Sequence, residues 1–522
     1  MCLAGKGRRL CPRLGVSLSL VKGAMDESNE ALWGRMRELK DLSGIIGLAT
    51  WDQETYLPVK AEAARASQLS TLQGLYHERL VAPEVGDWLA QLGAAPASAD
   101  EQALVRVLAR ERDRAVRVPV ALVRALAEAQ GQALTAWRTA REARAFAPFA
   151  QPLDHLLQLR REQADAIGHD GERYDALLGG FEPGMRTARL MPVLHALRDQ
   201  LVPLVEALDG WPAGPNILAG TRFPADAQWR FTVELLGKLG FDLEAGRQDK
   251  SVHPFTGGTH PTDVRLTTRI SEDNLSAAVF GTIHECGHGL YEQGFRPEDY
   301  RTVLAAAPSM GLHESQSRLW ENLVGRSLPF WQALYPRLQA AFPAQLGSVG
   351  LPAFHQALNR VCRSPIRVEA DEVTYNLHIV LRTELELELL RGNLPAADLP
   401  QAWNAATRAL LGLEPADDVK GVLQDIHWAW GELGYFPTYA LGNLYAASFM
   451  KAAEAALPDV WGSISLGDFA PLRTWLRTAI HQEGARLDAE DLVQKVTGKG
   501  LTDTDFVTYL KAKYGALSGR AL

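Results

Sequence analysis

Hydrophobic positions recur at helical spacing along most of the chain. Between residues 101 and 146, Leu, Val and Ala repeat every three or four positions among Arg and Glu, and Pro119 marks a break within this run. The same pattern fills five further runs: residues 149–167, 187–208, 317–342, 374–390 and 399–411. The pattern therefore predicts a mostly α-helical fold.

Strand patterns are few. Residues 263–270 (DVRLTTRI) alternate and are rich in β-branched side chains, whereas residues 366–375 (IRVEADEVTY) are ambiguous. Short loops rich in Gly and Pro are predicted at residues 92–99, 210–224, 253–261 and 395–400. None is long enough to be a flexible linker between independent domains. We expect residues 25–522 to form one unit, mostly α with a minor β element, arranged as two lobes around a groove.

The first 24 residues differ from the rest in charge. They contain five Lys or Arg and no acidic residue, whereas the whole chain has a formal net charge of -8. The short apolar run LGVSLSLV is compatible with a secretory signal, but Lys22 interrupts the expected cleavage region. We expect residues 1–24 to be a disordered extension or a non-native leader from an upstream start codon, in preference to a signal peptide.

Composition excludes several classes of protein. The negative net charge and the lack of a basic block interleaved with aromatic residues disfavour a nucleic-acid partner. No apolar run approaches the roughly 18 residues that a membrane span requires, so we expect no membrane association. The four cysteines (Cys2, Cys11, Cys286 and Cys362) do not form a disulfide framework. The expected location is therefore the reducing cytoplasm.

The candidate chemistry lies in residues 278–294 (AVFGTIHECGHGLYEQG). His284 and His288 lie four residues apart, on one face of a helix, where neutral ring nitrogens can bind a single metal ion. Glu285 projects roughly 100° away, where its carboxylate can take a proton from a water molecule that the ion holds. The alternative is an ordinary solvated helix, because the motif also arises by chance.

Three glycines weaken this helix by about 1 kcal/mol each relative to Ala. They are Gly281, Gly287 and Gly289, and their presence suggests that another part of the protein or a ligand packs closely against the helix backbone.

A catalytic zinc site needs a third protein ligand. Glu314, which lies 26 residues after His288 in GLHESQSRLWEN, begins another helical run. Ser317, Arg318 and Glu321 share its face, and Arg318 or Glu321 can donate or accept the hydrogen bonds that orient metal ligands. Judged from this segment alone, Glu314 is equally compatible with the exposed acid of an amphipathic helix.

These segments together resemble the thermostable carboxypeptidase Taq family of metallocarboxypeptidases (peptidase family M32). HECGH, followed by the Glu of HESQSR, is similar to the zinc motif of that family. Three more motifs occur in the family's order: DVRLT (263–267), IRVEAD (366–371) and GVLQDIHW (421–428). The resemblance covers residue 25 to the C terminus.

The resemblance implies a nearly all-helical fold similar to neurolysin and angiotensin-converting enzyme, with two lobes and the metal at the floor of a deep groove. It implies zinc, sometimes replaced by cobalt, and a homodimer. The implied activity is the release of single residues, with broad preference, from peptides that have a free C-terminus. The implied metal ligands are His284, His288 and Glu314, with Glu285 as the general base.

The resemblance also points to the substrate contacts. Arg367 matches the residue expected to bind the terminal carboxylate, because guanidinium makes bidentate contacts. Arg363 is the second candidate, and a structural ion pair of Arg367 with Glu369 or Asp371 is the alternative.

Two further segments supply candidates for the donor to the oxyanion. The candidate donors are His427, which Gln424 and Asp425 are expected to hold in place, and Tyr439. Tyr439 is otherwise expected to be a packing residue with a satisfied hydroxyl.

The roles of four other positions stay open. Asp263, Arg265 and Thr267 alternate along one strand face, where Arg265 contacts substrate or, as we favour, the three brace the zinc helix through salt bridges. His313 either contacts substrate or supports a ligand.

Two other functions remain to be separated from a carboxypeptidase. One is an oligopeptidase of the thimet or neurolysin type, or a dipeptidyl carboxypeptidase, which would share the fold and the zinc motif. The other is a peptide-binding protein without catalysis, which the presence of Glu285 beside a complete ligand set disfavours. A peptide with an amidated C-terminus separates an oligopeptidase that cuts internal bonds from a carboxypeptidase, because only the carboxypeptidase needs the free carboxylate.

Overall fold

The computed structural model describes residues 15–211, 217–218 and 220–522, with side chains from residue 29 onward. The expectation for the leader falls on residues 1–14, which lie outside the described residues, and on residues 15–24, where only the backbone is described. It therefore stays a prediction.

The first four helices form a lobe with a small core of its own. They are α1 (Gly15–Thr55), α2 (Glu62–Val81), α3 (Pro83–Ala94) and α4 (Ala99–Arg117). Leu and Val side chains from all four helices pack together, joined by Met36 and by Val303 from the rest of the chain. Ser98 caps α4 by accepting a hydrogen bond from the Glu101 backbone N–H.

The second, larger core begins with Val118, just before Pro119, the predicted break. Proline lacks an N–H and cannot continue α4, but it suits the position before a helix. The helices that follow are α5 (Val120–Ala143), α6 (Ala147–Ile167), α7 (Arg173–Leu178), α8 (Thr187–Ala207) and α9 (Ala225–Leu239). Their apolar faces belong to the core that continues to the C terminus.

A three-stranded sheet follows: β1 (Gly246–Lys250), β2 (Thr256–His260) and β3 (Asp263–Thr268), in the order β1-β3-β2. β3 pairs parallel with β1 and antiparallel with β2. β3 was predicted, but the expectation of a loop over residues 253–261 is wrong. Gly257 and Gly258 give β2 no alternating or β-branched pattern, so the sequence does not predict this strand. It forms because it pairs with β3.

The motif helix α10 (Leu275–Glu292) packs on this sheet. Buried hydroxyl and amide groups join the two: Thr282 Oγ1 donates to Gln248 Oε1 at 3.1 Å or to Thr268 Oγ1 at 3.2 Å. The expected salt bridges from Asp263 and Arg265 to this helix are not formed. These two residues pair with each other at 3.0 Å, and the guanidinium of Arg265 lies 4.2 Å from the Trp51 ring centroid on α1. Their pair thus joins the sheet to the N-terminal lobe.

Eleven further helices complete the described part of the chain. They are α11 (Met310–Arg318), α12 (Leu328–Ala341), α13 (Pro343–Leu346), α14 (Leu351–Leu358), α15 (Tyr375–Arg391), α16 (Leu399–Leu411), α17 (Pro437–Ala456), α18 (Val460–Ser465), α19 (Ala470–Ala479), α20 (Ala489–Thr497) and α21 (Thr504–Ser518). Short 3-10 turns lie at Val59–Ala61, Pro297–Asp299, Arg367–Glu369, Ala396–Asp398 and His481–Arg486.

The single helical run expected over residues 317–342 is wrong. α11 ends at Arg318 and continues as a wider π-type turn, Leu319–Val324. Ser327 then starts α12 by accepting a hydrogen bond from the Phe330 backbone N–H. The hydrophobic spacing persists across the junction, which is why the pattern does not reveal it.

The predicted fold class is confirmed, since the described chain is mostly helical with one small sheet. Among the described residues, no helix combines the length and the apolar character needed to cross a lipid bilayer.

Candidate active site

Three predicted ligands converge between α10 and α11. His284 Nε2 lies 3.5 Å and His288 Nε2 lies 3.3 Å from Oε2 of Glu314. Ligand atoms bound tetrahedrally at roughly 2.0–2.1 Å from zinc are about 3.4 Å apart. The two nitrogens and the carboxylate oxygen, which all lie within 4.8 Å of one another, are therefore suited to bind a single metal ion.

A glycine allows the two ligand helices to approach each other. A Cβ at Gly287 would lie 2.6 Å from the Gln316 carbonyl oxygen on α11. A Cβ at Gly289 would lie 2.7 Å from the Phe241 ring, whereas at Gly281 the nearest atom is 3.8 Å away. The predicted close approach is confirmed at Gly287 and Gly289 and is wrong at Gly281.

Glu321 orients the first histidine. Its Oε2 lies 2.9 Å from Nδ1 of His284, which leaves Nε2 toward Glu314. Burial alone would raise the pKa of Glu321, but the charge of Arg318 and the His284 hydrogen bond lower it to about 2. The predicted supporting role of Arg318 and Glu321 agrees with these contacts.

Glu314 is held as an anion by Arg318, whose Nε lies 2.6 Å from its Oε1. Burial opposes ionisation, but the Arg318 charge holds the pKa of Glu314 well below its ordinary value. Gly442 on α17 makes room for this side chain, because a Cβ there would overlap the Glu314 Cγ. The ligand is thus fixed from two sides.

The contact at Gly442 gives a test of this arrangement. Gly442→Ala should displace Glu314, lower metal affinity about 10–100-fold and destabilise the fold by about 1–3 kcal/mol. The control is Gly237→Ala on α9, where a Cβ meets no atom within 4 Å. Chelator competition and denaturant titration measure both quantities. Metal affinity in Gly442→Ala equal to that of the control would contradict this role.

Glu285 lies beside the ligand cluster and not in it. It is 5% exposed, and burial raises the pKa of its carboxyl, which favours proton uptake. Its Oε2 accepts a hydrogen bond from Thr256 Oγ1 at 2.6 Å. Thr256 lies on β2, the strand that the sequence does not reveal, so its contact with Glu285 is also a finding of the structure.

His313 stacks on the second ligand histidine. Its ring centroid lies 4.5 Å from that of His288, and its Nε2 lies 2.8 Å from Oε1 of Glu292. These contacts suit support of the ligand. The substrate contact remains a prediction.

Arg367 is held by Asp425, with Nη2 2.7 Å from Oδ1. Arg382 pairs with the other carboxylate oxygen at 2.6 Å, so the trio carries one surplus positive charge. Such a surplus favours an anionic group nearby. The alternative pairing with Glu369 or Asp371 is not formed, since Asp371 accepts from backbone N–H groups such as that of Thr374.

The hydrogen bonds by which Gln424 and Asp425 were expected to hold His427 are not found. Gln424 Oε1 accepts from the Arg367 backbone N–H at 2.8 Å, and Asp425 is 4.0 Å from His427 Nδ1, too long for a hydrogen bond. Both residues therefore hold Arg367. Arg363 points to the end of α16, where its Nη1 reaches the Leu411 carbonyl at 3.4 Å.

Tyr375 connects the metal ligands to Arg367. Its hydroxyl oxygen accepts from Arg318 Nη2 at 3.2 Å and from Arg367 Nη1 at 3.0 Å. Sequence reasoning missed this residue, although it ends the ambiguous segment IRVEADEVTY. Through it, one polar network runs from Glu314 to Asp425.

His427 and Tyr439 lie together beside Arg367. His427 Nε2 is 3.4 Å from the Tyr439 hydroxyl, and the Arg367 guanidinium carbon lies 4.9 Å from the Tyr439 ring centroid. Burial lowers the pKa of His427 to about 4, so the ring is neutral near pH 7. A neutral imidazole and a phenol can both donate a hydrogen bond to an oxyanion.

Known proteins resemble the chain over nearly its whole length. A sequence model of the family described as carboxypeptidase Taq (M32) metallopeptidase matches residues 31–514. Thermostable carboxypeptidase 1 of Thermus thermophilus is 45% identical over 92% of this chain and 97% of its own length, and carboxypeptidase 1 of Bacillus subtilis is 34% identical over the same shares. The crystal structure of an M32 carboxypeptidase from Deinococcus radiodurans, 38% identical, superposes with a TM-score of 0.92 over 95% of this chain and 100% of that one.

Proposed function

The chain belongs to the carboxypeptidase Taq (M32) family of metallopeptidases, and from that premise we propose that it is a zinc-dependent carboxypeptidase. It removes single residues, with broad preference, from peptides that have a free C-terminus. The observation that carries this proposal is the convergence of His284, His288 and Glu314 beside the carboxylate of Glu285. Cobalt is the expected substitute for zinc.

The chain's own residues divide the work of hydrolysis. When bound by the three ligands, zinc supplies a Lewis acid that polarises the scissile carbonyl and lowers the pKa of water. Glu285 takes the proton of the attacking water and delivers it to the leaving amine. His427 or Tyr439 donates a hydrogen bond to the oxyanion that develops on the scissile carbonyl.

The preference for a free C-terminus rests on Arg367. Its pairing with Asp425 uses Nε and one Nη2 hydrogen, and Tyr375 takes one from Nη1. Each Nη carries a second hydrogen, so guanidinium capacity remains for a terminal carboxylate. Arg265, which pairs with Asp263, is a second candidate for substrate contact.

The proposal extends to the setting of the enzyme. Because the cysteines form no disulfide framework, we place it in the cytoplasm. The family resemblance supports a homodimer.

Mass spectrometry of a peptide pair tests the activity. The purified protein should shorten a free-ended peptide one residue at a time and leave its C-terminally amidated counterpart intact. A chelator should abolish the reaction, and zinc should restore it. Internal cleavage of both peptides would favour an oligopeptidase, release of dipeptides would favour a dipeptidyl carboxypeptidase, and binding without cleavage would favour a peptide-binding protein.

A further inference from the structure

The hydroxyl of Thr256 holds one oxygen of the Glu285 carboxylate. The distance from Oγ1 to Oε2 is 2.6 Å, the length typical of a hydroxyl that donates to a charged oxygen. The backbone carbonyl oxygen of Glu285 lies 3.1 Å from the same hydroxyl. Thr256 thus contacts both the side chain and the backbone of this residue.

This contact leaves the second carboxylate oxygen free. Within the described residues, no protein donor to Oε1 of Glu285 is found. A carboxylate with one oxygen fixed and the other free has a defined orientation, which a base needs in order to meet a proton at short range. Without the hydroxyl, the carboxylate could rotate about its side-chain torsions.

The strand around Thr256 is itself fixed. Thr256 pairs with Leu266 across the antiparallel ladder. Its neighbour Phe255 donates its backbone N–H to Thr267 Oγ1 at 2.8 Å and accepts from the Thr267 backbone N–H at 2.9 Å. Thr267 is fully buried. The DVRLT motif therefore supports the position of Thr256. Thr267 does so through its hydrogen bonds with Phe255, and not through a salt bridge to α10.

We infer that Thr256 is a positioning residue for the general base, acting through a hydrogen bond that orients the carboxylate of Glu285 toward the attacking water. This inference rests on the proposed hydrolase function. Thr256 itself need not touch the substrate.

Three variants test the inference. Thr256→Val removes the hydroxyl and keeps a β-branched strand residue, whereas Thr256→Ser keeps the hydroxyl. Thr259→Val is the matched control, because this threonine of the same strand donates to the Asp263 carbonyl at 2.7 Å and not to Glu285. Steady-state kinetics, metal content and thermal unfolding are measured for each variant, and crystal structures are determined for the wild type and the two Thr256 variants.

Thr256→Val should lower kcat about 10–100-fold at unchanged KM and unchanged metal content. Thr256→Ser should retain most of the turnover, and Thr259→Val should match the wild type. The Glu285 carboxylate should be displaced in the Thr256→Val crystal structure and in place in Thr256→Ser.

Four outcomes would overturn the inference: wild-type kcat in Thr256→Val, an equal loss in Thr256→Ser, a rise in KM alone, or an undisplaced carboxylate in Thr256→Val. The crystal structures decide the question even if the wild type hydrolyses no peptide, a result that would instead contradict the proposed function.

Discussion

Glu285→Gln is expected to lower kcat about 10³-fold, within the range that general acid–base catalysis contributes. The amide cannot accept the proton of water or return it to the amine, yet it keeps the size of the carboxylate and can still accept from Thr256. Metal content should stay at the wild-type level, since Glu285 is not one of the three ligands. Steady-state kinetics and elemental analysis of the same preparation measure both quantities.

Glu298→Gln is the matched control for this substitution, because Glu298 is an exposed acid in a surface turn. It should keep both kcat and metal content. Turnover of Glu285→Gln within a few fold of this control would contradict the assignment of the base. Loss of metal from Glu285→Gln would show instead that the residue is a ligand.

Glu314→Gln is expected to weaken metal binding more than 100-fold. Changing a residue that only supports a ligand costs about 10–100-fold in metal affinity, and Glu314 is a ligand itself, so its loss should cost more. Glu321→Gln, which loses the charged acceptor at His284 Nδ1, should fall within that smaller range. Both variants lose one negative charge from the same buried network, so charge alone does not separate them.

Competition with a chelator of known affinity measures the series, with Glu298→Gln as the reference. Glu298→Gln is expected to bind the metal most tightly, Glu321→Gln less tightly, and Glu314→Gln most weakly. A Glu314→Gln variant that binds metal as tightly as Glu321→Gln would mean that the carboxylate supports the site without coordinating the ion.

Local regularity was sufficient for the two histidine ligands, whereas Glu314 was identified as a ligand by the family resemblance, because its own segment fits an exposed acid equally well. The spacing of His284 and His288 fixes their shared helix face, and Ser317, Arg318 and Glu321 follow Glu314 at helical spacing. In the structure, Arg318 and Glu321 contact the ligands from that face. Local pattern predicted the contact of Arg318 with Glu314, one helical turn away, but it did not identify His284 as the partner of Glu321, since these two residues lie 37 positions apart.

Contacts across the fold could not be obtained in this way. Thr256 meets Glu285 only because β2 pairs with β3, and two glycines conceal that strand. Tyr375 joins Arg318 to Arg367 although the two arginines lie on different segments. Such partners depend on how distant elements pack, which hydrophobic spacing does not encode.

The partner of Arg367 illustrates the same limit. Glu369 and Asp371 are near it in sequence, so they were the obvious acids for an ion pair. Asp425 is the partner in the structure, and Asp371 instead binds backbone N–H groups at the start of α15. Proximity along the chain was a poor guide because the buried pair joins two motifs separated by α15 and α16.

Anomalous diffraction at the zinc absorption edge, from crystals of the protein purified without added metal, tests the metal site most directly. The predicted result is a single strong peak between α10 and α11, at roughly 2.0–2.2 Å from His284 Nε2, His288 Nε2 and a carboxylate oxygen of Glu314. A peak bound elsewhere, or a Glu314 carboxylate turned away from both imidazoles in zinc-soaked crystals, would contradict it.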